Sequence, residues 1–257
     1  MTDFKYIAYG TADGLATLTL NKPPYNVLDI AMMDEINVAL DHLLTDSSAR
    51  VLLITGAGEK AFSAGVDVAD HTPDKVERMI EVFHGIFRRL ELVTIPVVGA
   101  LNGVALGGGC ELALACDMLI AASHAKLGQP EIKLGVFPPV AAILLPRMLP
   151  PGKAYELLLG GANIDSAEAY RLGLLNKVVP KDEFAATTAS YLQQFLGLSR
   201  AALVYTKKAV RVAADKPFNQ ALQAAETIYL KELMPNADAN EGLNAFMQKR
   251  PPVWQHK

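Results

Sequence analysis

Asn102-Gly103-Val104-Ala105-Leu106-Gly107-Gly108-Gly109-Cys110-Glu111 lies between two apolar runs, TIPVVGA at residues 94–100 and MLIAA at Met118–Ala122. Short continuous apolar runs bounded by glycine are the pattern of strands buried on both faces. Residues 109–116 carry helical spacing, so the segment reads as strand, glycine turn, helix, strand. Three consecutive glycines before a helix leave several N–H groups unpaired at its positive end, where an oxyanion or a phosphate can sit. No Gly-Lys-Ser/Thr follows, so this is not a P-loop, and the G-x-G-x-x-G phase of a dinucleotide loop is absent. Close strand–helix packing is the other reading of the glycines. Glu111 argues for more, because a carboxylate in the apolar run 110–115 is costly unless it is used or paired.

Upstream of this stretch, VLLIT at residues 51–55 reads as another strand buried on both faces. It runs through Gly56-Ala57-Gly58 into a loop, Lys60-Ala61-Phe62-Ser63-Ala64-Gly65-Val66-Asp67. The small residues there let backbone N–H groups approach a ligand, although a plain turn explains them as well. Residues 74–92 read as an amphipathic helix with Val76, Ile80, Phe83, Phe87 and Leu90 on one face. Earlier still, Asp29 caps a helix over 29–44, and residues 7–9 and 15–20 form a hairpin around Thr11-Ala12-Asp13-Gly14.

Downstream, residues 125–128 lead into Gly128-Gln129-Pro130-Glu131. Alone, Glu131 is a solvated loop residue. Facing the same cleft as Glu111, it would complete a pair of carboxyls able to divide the roles of general acid and general base. Beyond Pro150, helices are expected over 153–159, 166–171, 182–195 and 199–214, with one strand at 174–179. Two more helices fall between 217 and 246, broken at Pro235. The expectation is an α/β body of repeated ββα or βα units over residues 1–195, then a helical C-terminal part over 196–257.

Composition narrows the classes. The chain has 257 residues, 51% hydrophobic and 20% charged, with a formal net charge of −3, which is ordinary for a globular protein with a sizeable core. So small and mixed a charge gives no reason to expect nucleic acid or a membrane surface as partner. Cys110 and Cys116 have neither a disulfide framework nor a metal-type spacing around them, and read as buried free thiols with no metal site. The N-terminal stretch 1–10 has no apolar signal region, and glycines, Glu111 and Asp117 interrupt the apolar run 95–122, so a cytoplasmic location is expected. His71 lies near the expected cleft and His84 on the amphipathic helix; lacking further ligands at a recognisable spacing, both read as packed or surface histidines, His84 within reach of shaping the pocket.

Taken in order, F-S-A-G-V-D at 62–67, G-G-G-C-E at 107–111 and Q-P-E at 129–131 resemble the crotonase superfamily, the enoyl-CoA hydratase/isomerase proteins. Asn21-Lys22-Pro23-Pro24-Tyr25-Asn26-Val27-Leu28, Cys116-Asp117-Met118, the stretch from Ala167-Glu168-Ala169 to Gly173-Leu174-Leu175-Asn176, and Glu241-Gly242 through Lys249-Arg250 extend the likeness along nearly the whole chain. The resemblance implies a spiral of ββα units and a helical region that makes trimers or hexamers. It implies an acyl-CoA thioester as substrate, with coenzyme A entering as part of it and no separate cofactor. The N–H groups of Val66 and Gly108 would form an oxyanion hole for the thioester carbonyl, with Glu111 the base toward water and Glu131 the acid at the α-carbon. Lys22, Val27 and Ala64 match positions that touch coenzyme A, Asp67 and Phe137 join the substrate-contacting set, and Lys249 would reach the nucleotide of a neighbouring subunit.

Members that keep both glutamates are mostly hydratases; isomerases and thioester hydrolases of the superfamily are the alternatives, and a non-catalytic acyl-CoA or RNA-binding relative is a further one. One departure stands out. Where the family commonly reads P-G-A-G-G-T, this chain has Phe137-Pro138-Pro139-Val140-Ala141-Ala142-Ile143, expected to form a stiffer, bulkier wall at the acyl end. Together with Val66-Asp67-Val68-Ala69-Asp70-His71 and residues 79–87, that stretch looks like the cyclohexa-1,5-diene-carbonyl-CoA hydratases.

Overall fold

The structure, a computed structural model, describes residues 3–256. Met1 and Thr2, part of the N-terminal stretch read above, and Lys257 lie outside the described residues. Strands β1 (Ile7–Ala12) and β2 (Leu15–Leu20) pair antiparallel around Asp13 and Gly14, both at positive φ. This is the two-residue turn whose twist matches that of the flanking strands. In β2, Ala16, Leu18 and Leu20 are fully buried and the residues between them are not, the period of two that a strand with one core face requires. Helix α1 (Ile30–Thr45) starts where expected: the Asp29 carboxylate accepts the Met32 N–H at 3.0 Å, satisfying one of the free donors at the helix start.

The chain then winds in coils. Each coil lays one strand in a large sheet, one in a small sheet, and adds helix. The first holds β3 (Val51–Gly56), β4 (Ala61–Ser63) and α2 (Val76–Leu92). The second holds β5 (Val97–Leu101), β6 (Val104–Leu106) and α3 (Gly108–Leu114). The third holds β7 (Met118–Ala122) and β8 (Lys126–Gly128), followed by α4 (Pro139–Met148) and α5 (Pro151–Gly160). After β9 (Asn163–Asp165), α6 (Ser166–Arg171) and β10 (Lys177–Val179), the large sheet reads β1-β2-β3-β5-β7-β10 and the small one β4-β6-β8-β9. All pairings from β2 onward are parallel except β8 with β9.

VLLIT is apolar throughout because both faces of β3 are covered. Leu52 and Ile54 join the main core with α1 and α2, whereas Val51 and Leu53 pack toward Leu192 and Leu196 of α7 (Phe184–Leu196). Helices α8 (Arg200–Ala213), α9 (Phe218–Ile228) and α10 (Ala237–Met247) follow, with a π-helical turn at Tyr229–Leu233 after α9. Lys207 ties α8 to the body by donating to the Ile95 carbonyl at 2.8 Å and the Asp117 carboxylate at 2.5 Å. Buried Asp238 secures the tail by accepting from Ser199 Oγ, Gln255 N and His256 N.

Several details differ from the sequence reading. The loop over 60–68 contains β4, β9 was not foreseen, and the strand expected at 174–179 is confined to Lys177–Val179. The Pro138-Pro139 wall is the start of α4, since a proline fits the first helical position, where no intrahelical N–H bond is lost. Cys110 and Cys116 are buried free thiols, and burial pushes both up, Cys110 to about 12. Among the described residues, no group of His, Cys, Asp and Glu is placed to hold a metal ion, and no helix is long and apolar enough to cross a membrane.

Candidate active site

Where the coils turn from the small sheet toward the helices, their connections meet at a cleft of about 480 Å³. The loop after β4 supplies Ala64 and Val66, the turn before α3 supplies Gly107 and Gly108, and α3 supplies Glu111. A 3-10 turn at Pro130–Leu134 brings Glu131, and the residues up to Pro139 close the far wall. Helix α2 lays Val76, Met79, Ile80 and Phe83 along the remaining side, a stripe with the spacing of one helical face.

Val66 and Gly108 present their backbone to this space. Leu28 bonds Gly65 O and Asp67 N at 2.9 and 3.0 Å, as in a parallel bridge centred on Val66. That pattern turns the peptide groups of Val66 away from Leu28. Neither the Val66 N–H nor the Gly108 N–H makes a hydrogen bond among the described residues. The Gly108 site admits no side chain: a Cβ there would stand 2.7 Å from Val66 Cγ2 and 2.9 Å from Phe83 Cζ. Gly107 is held at φ +52°, and a Cβ on it would meet Glu131 Oε1 at 2.5 Å. Because α3 has seven residues, its dipole is short, and the two free N–H groups are the donors that matter.

Glu111 is only 2% exposed. Its Oε1 accepts the N–H groups of Val140 and Ala141, each at 2.8 Å, so the first turn of α4 grips the carboxylate. Burial pushes Glu111 up to about 7, with neighbouring Glu131 adding to the rise and the two donors opposing it. Glu131 is also raised by burial, and its Oε2 is buried with no hydrogen-bond partner among the described residues. Two carboxyls raised by burial in one apolar cleft can exchange protons with a bound molecule in both directions.

Of the residues singled out from sequence, Ala64, Val66, Gly108, Glu111, Glu131 and Phe137 line this cleft. Four others do not. Lys22 is ion-paired with Asp29, and Val27 is half-buried beside Asn26. Asp67 caps the turn Val68–Asp70 by accepting the Ala69 N–H at 3.0 Å, and Lys249 is exposed beyond α10. His71, expected near the cleft as a packed or surface histidine, is one of the lining residues; His84, expected within reach of the acyl pocket, is not. The sequence reading missed Asn26, whose side chain is fully buried and donates to Ala57 O and Ala61 O while Oδ1 accepts the Lys22 N–H. Asn26 thus fixes the chain leading into β4, ahead of the loop that carries Val66; its positive φ, +48°, is a conformation that asparagine tolerates.

Comparison with known proteins places this arrangement. Residues 10–257 match the enoyl-CoA hydratase/isomerase family. The cyclohexa-1,5-dienecarbonyl-CoA hydratase of Thauera aromatica is 38% identical over 243 residues, 95% of this chain and 93% of that one. The short-chain-enoyl-CoA hydratase of Clostridium acetobutylicum is 35% identical over 244 residues, 92% of each. The crystal structure of an enoyl-CoA hydratase from Bacillus anthracis overlays with a TM-score of 0.93 at 31% identity, covering 98% of this chain and 100% of that one. Likeness that runs through both sequence and backbone for almost the full length has one source: this chain belongs to the enoyl-CoA hydratase/isomerase family of enzymes, the crotonase superfamily.

Proposed function

We propose that this protein adds water to an α,β-unsaturated acyl-CoA thioester, and that the acyl group is a cyclic diene such as cyclohexa-1,5-diene-1-carbonyl. The observation that carries the reading is the pairing of two carboxyls, buried Glu111 and half-buried Glu131, with two unpaired backbone N–H groups in one apolar cleft. In this reaction Glu111 accepts a proton from water as the water oxygen bonds the β-carbon. The π electrons move onto the thioester oxygen, where the N–H groups of Val66 and Gly108 stabilise the enolate; a preorganised donor of this kind contributes about 3 kcal/mol. Glu131 then delivers a proton to the α-carbon, so that one water is added and nothing leaves. Coenzyme A enters with the substrate, and no other cofactor takes part.

The cyclic acyl group is supported by the shape of the wall and by kinship. Phe83, Leu134, Val136, Phe137 and the Pro138-Pro139 start of α4 give the acyl end broad, rigid, apolar surfaces, and a relative that acts on such a ring is 38% identical. The test is to incubate the protein with straight-chain, branched and cyclic enoyl- and dienoyl-CoA thioesters and follow the mass gain of one water. The expected result is gain of water, fastest with the cyclic dienoyl thioester, and a fall of about 10²- to 10⁴-fold in Glu111→Gln and in Glu131→Gln. Double-bond migration without mass change would make it an isomerase, release of free coenzyme A a hydrolase, and near-normal rates in both variants would remove the carboxyls from the mechanism.

A further inference from the structure

Among the described residues lining the cleft, three carry polar side chains: Glu111, Glu131 and His71. The third has no task in the reaction outlined above, yet its ring is held in one orientation. His71 closes the turn Val68–Asp70, and its Nδ1 lies 3.0 Å from the Asp67 carbonyl oxygen. A carbonyl oxygen only accepts, so Nδ1 carries the hydrogen and Nε2 is the nitrogen left for the cleft. The turn is anchored at both ends, by the Asp67 cap on Ala69 and by buried Asp70, which accepts the Ile30 N–H at 3.0 Å and pairs with Lys75 at 3.3 Å. His71 is half-buried and is followed by exposed Thr72 and Pro73, so it stands between solvent and the cleft interior. On the inner side it shares the cleft with Glu131.

Hydration as proposed above, on which this inference rests, leaves the pair out of balance. Each turnover ends with Glu111 protonated and Glu131 ionised, and the next requires the reverse. Glu131 Oε2 is buried and, among the described residues, no side chain or backbone group is hydrogen-bonded to it. We infer that His71 is the proton conduit between solvent and Glu131. Nε2 takes a proton from solvent at the cleft mouth and gives one to a water in the cleft, which passes one of its own to Glu131 Oε2; an N–H and an O–H bond break as two O–H bonds form. The ring returns to its neutral Nδ1–H form without turning, because Nδ1–H stays on the Asp67 carbonyl throughout. His71 is therefore a positioning and relay residue that acts through Glu131 and not on the thioester.

The experiment compares His71→Asn and His71→Gln with the unaltered chain in steady-state hydration, with and without added imidazole. Asparagine places an amide N–H near the Nδ1 position and keeps the bond to Asp67 while removing Nε2. Glutamine puts a polar atom near the Nε2 position but cannot carry a proton. Both variants should lose kcat by about 10- to 100-fold with KM changed by less than about twofold, and free imidazole should restore a rate that rises with its concentration. Unchanged kcat in His71→Asn, full activity in His71→Gln, or a loss that imidazole leaves untouched would each overturn the relay. Absence of hydration by the unaltered chain is a separate outcome, and it would overturn the hydratase reading itself.

Discussion

Glu111 is gripped as an anion and surrounded as a neutral acid. The two α4 donors favour its charge, burial opposes it, and the balance near 7 lets it accept a proton and release it again. The same conflict destabilises the fold. Below pH 4.5 the carboxyl is protonated in folded and unfolded chains alike; from there to about 7 only the folded chain keeps its proton, so stability falls as pH rises. Above 7 the whole cost is in place, about 3 kcal/mol at roughly 1.4 kcal/mol per pKa unit. Glu111→Gln should therefore be inactive yet more stable than its parent above pH 7, with a flatter dependence of urea unfolding on pH. An identical pH slope in the two proteins would refute burial as the cause. Gly108→Ala tests the other half of the site: the added methyl lies within 3 Å of Val66 and Phe83. It should cost about 1–3 kcal/mol in thermal unfolding and, by displacing the N–H, lower turnover by about 10²-fold or more.

At the scale of elements, the clamp of Asn26 joins three segments through one side chain. Asn26→Ala would leave Ala57 O and Ala61 O without that donor in the interior, so unfolding free energy should drop by about 3 kcal/mol or more and activity should fall with it as the Val66 loop loosens. Denaturant titration and turnover on the same samples check both parts. Elements long enough to show a period were readable from sequence: β2 and β3 by alternation or continuous burial, and α1 by its spacing and the Asp29 cap. The three-residue strands β4, β6 and β9 were not, since three residues display no period and their pairing depends on coils far away in sequence. Helix α4 was hidden by Pro138, Pro139 and internal Pro146, although a proline at the first helical position is a start signal. Glu111 was legible because a carboxylate in an apolar run demands explanation, and Glu131 only through its place in the ordered motifs that carry the resemblance. His71 was expected near the cleft, but the orientation of its ring was not legible, because a turn, and no sequence spacing, sets it.

Over the whole molecule, the exposed apolar surface is uneven. Phe218, Leu222, Tyr229, Leu230, Phe246 and Met247 all lie exposed on the helices after residue 217, where residues 196–257 are proposed to form the assembly region. Faces of that size and polarity need a partner. We propose that copies of this chain supply it, giving a trimer or a pair of trimers, which sedimentation equilibrium should detect as three or six times the mass of 27.6 kDa. The double change Leu222→Asp with Leu230→Asp should shift the mass toward one chain while the circular dichroism of the helices persists. A monomer in the unaltered protein would remove the assembly proposal.

The two cysteines offer a practical opening. Thiols react as thiolates, and both are sealed in the interior with burial holding them in the unreactive protonated form. The native chain is thus already a silent background for thiol labelling. A cysteine introduced at Phe137, exposed at the rim of the cleft, would be the one site a maleimide dye reaches, and its fluorescence would report the arrival of an acyl group in real time.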